Sequence, residues 1–133
     1  MEFYALAQCP LTEAQIQDTI IGQGLSDWCA SIDRVLHWEE EQGEIYCLWG
    51  QFRVRRELIR GGVRFTLPEC PNALAWTLTV APQAPEASAV PGVQVHCTIN
   101  RTAHEAEFIE SIKDFVDDWR QGLERSGATR AIA

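Results

Sequence analysis

Lysine is almost missing from this chain: Lys113 stands alone against ten arginines, within a formal net charge of −8. Phosphate backbones need a basic footprint, so this balance excludes general nucleic-acid binding. Long apolar runs are missing too. None approaches the roughly 20 residues that cross a bilayer, and the first residues lack the basic and apolar regions of a secretory signal. A cytoplasmic protein with no membrane partner is expected. Cys9, Cys29, Cys47, Cys70 and Cys97 include no C-x-x-C pair, which excludes a zinc knuckle and a disulfide framework and leaves reduced thiols. There is no Gly-rich phosphate loop, and Ser26, Ser31, Ser88, Ser111 and Ser126 lie in no G-x-S-x-G elbow. His37, His96 and His104 lack helical partners or acidic companions at metal-ligand spacing. The run Glu39-Glu40-Glu41 spreads its carboxylates apart and suits a solvated turn rather than a cation. Neither a cofactor nor a metal is expected.

What is present is a strong alternation. In residues 44–67 and 74–100, apolar side chains recur at every second position, among them Ile45, Cys47, Trp49, Phe52, Val54, Val63, Phe65, Leu67, Leu74, Trp76, Leu78, Val80, Val93, Val95, Cys97 and Ile99. That is the period of strands with one buried face. The opposite phase holds Arg53, Arg55, Arg64, Thr66, Thr77, Thr79, Gln94, His96 and Thr98. This second surface must meet solvent, a ligand or another protein.

The boundaries follow from local signals. Residues 2–7 suit a first strand before the Cys9-Pro10 break. Thr12-Glu13-Ala14-Gln15 spells a capping box, flanked by Leu11 and Ile16 at the positions of a hydrophobic staple, and predicts a helix over 13–22 ended by Gly22 or Gly24. A turn and a strand at 31–39 follow. Strands are then expected at 44–50, 52–59, 63–67, 73–81 and 93–100, with Arg60-Gly61-Gly62 as a tight turn. At Arg56 a charge falls on the apolar phase, which suggests a bulge or a strand edge. Residues 82–92, rich in proline and alanine, read as an exposed, mobile loop. Thr102-Ala103-His104-Glu105 repeats the capping-box pattern and opens a helix over 103–124. In it Phe108, Ile112, Phe115, Val116, Trp119 and Leu123 form an apolar stripe opposite an acidic face. Burying those six side chains contributes on the order of 10 kcal/mol of gross hydrophobic free energy, at roughly 1.5–3 kcal/mol each. Ser126-Gly127 is expected to end the helix.

This order defines an α+β protein: a curved, mostly antiparallel sheet of about six or seven strands, with an N-terminal helix and a long C-terminal helix packed on one face. Residues 1–125 form the single domain, at the commonest domain size, and 126–133 a frayed tail. The element order resembles the helix-grip architecture of lipid- and hydrophobic-ligand-binding domains, in which the terminal helix lies across a strongly bent sheet.

Arginine makes planar, bidentate contacts with carboxylates and phosphates. Arg53 and Arg55 project to one face, and Arg64 follows the Gly-Gly turn that folds back on them. The three guanidinium groups are expected to gather beside Thr77, Thr79, His96 and Thr98. On that basis the first reading is a non-enzymatic protein-binding or adaptor module, chaperone- or immunity-like, acting through the open sheet face. Its partner is another protein, a second copy in a homodimer, or an anionic small molecule. The alternative is a small-ligand-binding domain of helix-grip type, with an apolar cavity between the sheet and the C-terminal helix, provided that Phe65, Trp76, Phe115 and Trp119 leave space. An enzyme is the least supported reading, because no histidine shows an orienting partner and His96 points away from the adjacent Cys97. Trp28 and Trp38 lie where the pattern is ambiguous, and an exposed indole there would mark a contact surface.

Overall fold

A computed structural model describes residues 1–82, 91–100 and 103–132, with side chains as far as Gly127. The loop expectation at 82–92 therefore falls almost wholly outside the described residues, as does Thr102 of the second capping box. In chain order the elements are β1 (Glu2–Gln8), α1 (Glu13–Thr19), a 3-10 turn (Gly22–Gly24), α2 (Leu25–Trp28), β2 (Ile32–Glu39), β3 (Gln42–Cys47), β4 (Gly50–Ile59), β5 (Gly62–Thr66), β6 (Ala75–Val80), β7 (Gly92–Thr98) and α3 (Ala106–Ile132). The strands form one antiparallel sheet in the order β1-β7-β6-β5-β4-β3-β2. Consecutive strands pair from β2 to β7, and β1 closes on β7 from the far end of the sequence.

The alternating positions behave as their period requires. Ile45, Cys47, Val54, Val63, Phe65, Trp76, Leu78, Val93, Val95 and Cys97 are buried on the face that carries the helices. The capping box forms as read: the Thr12 hydroxyl accepts from the Gln15 backbone N–H at 3.2 Å, and the Gln15 side chain accepts from the Thr12 N–H at 2.9 Å. Helix α1 stops at Thr19, earlier than the glycines suggested. Gly22 serves another purpose. A Cβ there would sit 1.9 Å from the Trp38 ring, and one at Gly43 would sit 2.5 Å from it, so two glycines make the slot in which that indole is clamped. The Trp38 Nε1–H donates to the Glu40 carbonyl at 2.9 Å. With Trp28 fully buried, neither of these two tryptophans is an exposed contact surface.

Arg56 corrects the expectation of a bulge or an edge. Strand β4 pairs with β5 without a register shift through this position, one residue past the end of its pairing with β3, and Arg56 is buried at 5% exposure on the apolar face. The guanidinium is satisfied there by the end of α1. Nε donates to the Ile20 carbonyl at 3.0 Å, one terminal nitrogen donates to the Gln17 carbonyl, and the other meets Glu41 Oε2 at 2.9 Å. A helix leaves its last carbonyls unpaired and its C-terminus partly negative, so a buried cation belongs at that place. Gln17 and Glu13 tie the other side of α1 to the β4–β5 turn, through the Ile59 and Gly62 carbonyls and the Gly61 N–H.

The apolar stripe of α3 is buried at Ile112, Phe115, Val116, Trp119 and Leu123, with Phe108 half-buried. The helix begins at Ala106, three residues later than expected, and runs through the Ser126-Gly127 step that was expected to end it. Gly127 lies against Cys9, whose sulfur would be 2.3 Å from an added Cβ. Both Gly122 and Gly127 allow α3 to lie close to the first third of the chain.

Candidate functional site

The register of the outer sheet face decides which polar residues meet. One row runs Glu57, Arg64, Thr77, His96, Tyr4 across β4, β5, β6, β7 and β1; the next runs Gln42, Arg55, Thr66, Ala75, Thr98, Glu2 from β3 to β1. Thr79 lies in a third row with Gln94 and Leu6. Arg55, Arg64, Thr77, Thr79, His96 and Thr98 thus share one surface, with Arg55 and Arg64 on the diagonal between neighbouring strands. Arg53 stands opposite Glu44 on β3, meets Glu69 at 3.3 Å and reaches Gln42 at 3.5 Å. It shares the face of Arg55 and Arg64 and is tied there to a carboxylate network. In that network the hydrogen bond from Gln51, then His37 and Arg53, hold the Glu44 carboxyl below its ordinary range.

His96 has the orienting partner that the sequence did not display. Its Nε2 lies 3.0 Å from Glu2 Oε1, and its ring stacks on Tyr4 with centroids 4.4 Å apart. Glu2 and Tyr4 come from β1, more than ninety positions away, so no local pattern could have revealed them. The adjacent Cys97 does not join the pair: it points into the core, where burial pushes its thiol up to about 12. Among the described residues no group of histidine, cysteine and acidic side chains could hold a metal ion.

The inner face carries a different arrangement, which period alone indicated only as core. A file of aromatic rings leads from the rim at the start of α3 inward. Phe108 meets Trp49 at 6.2 Å, Trp49 meets Phe115 at 5.0 Å, and Phe115 meets Trp76 edge-on at 4.9 Å. Trp76 then stacks on Phe65 at 5.3 Å and lies 6.2 Å from Trp119. Phe65, Trp76, Phe115 and Trp119 are therefore in mutual contact rather than separated by open space. The two rim rings are half-buried. Trp49, in the turn between β3 and β4, donates from Nε1 to Ser111 Oγ at 2.9 Å, and that hydroxyl donates to the Phe108 carbonyl at 2.6 Å.

Deeper in, Trp76 and Trp119 are 1% and 0% exposed, and neither indole N–H has an acceptor among the described residues. Buried tryptophans usually find one. An unsatisfied donor of this kind costs about 1–3 kcal/mol. Two of them in one aromatic cluster are the least satisfied polar groups of the interior.

With seven antiparallel strands bent around a long C-terminal helix, the chain has a helix-grip fold. Solved structures of the same class superimpose over nearly its whole length. The protein XoxI from Bacillus cereus matches at 15% identity with a TM-score of 0.66, covering 96% of this chain and 94% of that one. A START superfamily protein from Mycobacterium smegmatis matches at 10% identity with a TM-score of 0.64, covering 97% of each chain. An AHSA1-like protein from Aeromonas hydrophila matches at 10% identity with a TM-score of 0.57, covering 96% of this chain and 94% of that one. At these identities the likeness is one of fold. No family model matches the sequence, and no curated protein matches it. Among the described residues no helix is long and apolar enough to cross a membrane.

Proposed function

We propose that this protein binds a small, flat, largely apolar molecule between the sheet and α3. The observation that carries the reading is the plug at the rim. Trp49 sits on a two-residue turn, half-buried, between Phe108 at the surface and Phe115 within. Its polar end is held by a single hydrogen bond to Ser111. A swing of that turn would open the aromatic file without disturbing a sheet register, and an aromatic guest would replace ring contacts with ring contacts. The helix-grip fold supports the same reading. Titration with a panel of neutral aromatic metabolites tests it by thermal shift. A ligand at one hundred times its Kd adds about 2.7 kcal/mol, a rise of roughly 8–12 °C for a domain of this size. Trp49→Ala should speed ligand entry without abolishing folding. If no compound of the panel moves the midpoint or the tryptophan fluorescence, the reading fails.

A second reading keeps the outer face as a docking surface for an acidic protein, in the manner of an adaptor. What favours it is that Arg55 and Arg64 make no ion pair among the described residues, and that they share their face with Tyr4 and Leu6, 56% and 60% exposed. A pull-down with the Arg55→Glu/Arg64→Glu variant beside wild type separates the two readings, and sizing of the wild type tests a homodimer. A partner kept by wild type and lost by the variant supports docking, and one kept by both removes this face from consideration.

A further inference from the structure

We infer that the interior ligand is a neutral molecule carrying a hydrogen-bond acceptor, recognised by the indole N–H groups of Trp76 and Trp119; this rests on the interior-binding reading above.

Both donors are fully buried and without an acceptor among the described residues, on rings whose centroids are 6.2 Å apart. A one-ring guest entering the cluster would touch both indoles. An indole nitrogen can only donate, so the guest must bring the acceptor: a carbonyl, an ether oxygen or an aromatic nitrogen. A purely apolar guest would leave both donors unpaired, and would gain nothing from them.

The charge of the guest follows from the same interior. Arg56 is the one buried charged side chain among the described residues, and each of its three nitrogens is already engaged, by Ile20, Gln17 and Glu41. Among the described residues no other charged side chain is buried to offset a carboxylate taken out of water, and an unpaired buried anion is disfavoured far more strongly than a neutral carbonyl. The rings in contact with the two indoles include Phe65 and Phe115. A neutral aromatic ketone, aldehyde, quinone or lactone meets these conditions, and a fatty acid or aromatic acid does not. Anionic ligands would instead belong to the outer face, beside Arg55 and Arg64.

Three probes of nearly one shape test the inference: acetophenone, which has a neutral acceptor; α-methylstyrene, which replaces the carbonyl oxygen with carbon; and benzoate, which carries a charged acceptor. Binding is read on the intact protein from the indole N–H resonances of its five tryptophans, assigned with single Trp→Phe variants. Acetophenone is expected to bind roughly five- to tenfold more tightly than α-methylstyrene, the size of one ordinary hydrogen bond. It should move the Trp76 and Trp119 indole protons downfield, and benzoate should move neither. Trp119→Phe keeps an aromatic ring and loses the donor, so acetophenone should lose much of its advantage while α-methylstyrene changes by less than about twofold. Should that variant fail to fold, Trp76→Phe makes the same comparison. Equal affinities for acetophenone and α-methylstyrene would overturn the hydrogen-bond inference and leave interior binding standing. Tightest binding by benzoate at these two indoles would overturn the neutral class. If none of the probes reaches the interior, the binding reading falls, and this inference with it.

Discussion

Replacing Arg56 by methionine tests the account of how α1 is fastened to the sheet. Methionine fills similar space along the stem and removes every donor. Two of the three acceptors then have no replacement: the Ile20 carbonyl belongs to a fully buried residue, and the Gln17 carbonyl lies beside it at the end of α1. A buried acceptor left unpaired costs about 1–3 kcal/mol; with the Ile20 carbonyl buried and the Gln17 carbonyl part-buried, the two together predict a loss of about 2–4 kcal/mol. The ion pair with Glu41 adds little, because that carboxylate is 57% exposed and water takes over its charge. Urea unfolding followed by far-ultraviolet circular dichroism reads the effect. With a slope of about 1.5–2 kcal/mol per molar for a chain of this size, the midpoint should fall by about 1–3 M. Glu41→Gln serves as the control and should shift it by less than about 0.5 M. Arg56→Lys should recover only part of the loss, since one ammonium does not reproduce a fork that reaches two carbonyls and a carboxylate. If Arg56→Met costs less than about 1 kcal/mol, or if Glu41→Gln costs as much, the capping account is wrong and the ion pair is what matters.

Three further outcomes are expected. Gly122→Ala would place a Cβ 1.6 Å from the Trp28 carbonyl oxygen, separating α3 from α2; it should destabilise by more than about 3 kcal/mol or abolish soluble expression, while Gly24→Ala, with nothing nearer than 4.0 Å, should stay within about 0.5 kcal/mol by the same unfolding assay. Thiol titration of the native protein should label Cys70 quickly and Cys9, Cys29, Cys47 and Cys97 only at the rate of unfolding, since those four are buried; rapid labelling of all five would contradict the packing. Burial pushes the Cys29 and Cys97 thiols up to about 12, whereas unfolded thiols ionise near about 8.5. Because the folded values are raised, the neutral thiols' contribution is intact below the unfolded value and is lost as pH climbs toward the folded one. Urea midpoints should therefore decline from about pH 8.5 upward, by as much as about 1.4 kcal/mol per pH unit for each thiol, and a Cys29→Ala/Cys97→Ala variant should decline less steeply. Parallel pH profiles for the two proteins would refute this.

The sequence by itself determined the elements whose causes are local. Alternation placed Ile45, Val54, Phe65, Trp76 and Val95 on the core face, Thr12 and Gln15 announced the start of α1, and the three- and four-residue steps from Phe108 to Leu123 marked the buried stripe of α3. Each of these signals rests on geometry that repeats within a few residues. The order of those elements was enough for the helix-grip class. Other features depended on which segments meet across the fold. The glycines at 22 and 127 read as stops, yet they act, as Gly122 does, as seats for Trp38, Cys9 and Trp28, because a missing Cβ matters as much to a neighbour as to its own backbone. Arg56 read as a defect in a strand and proved to be the cap of a helix, since its acceptors lie 36 and 39 positions away. The three arginines fell in phase, but register set Arg53 against Glu44 and left Arg55 with Arg64. His96 gained Glu2 and Tyr4 only when β1 closed on β7. Likewise the two indole donors of Trp76 and Trp119 are ordinary core positions by their period. Only the tertiary packing, which brings them together in a space with no acceptor of its own, turns them into a candidate recognition element.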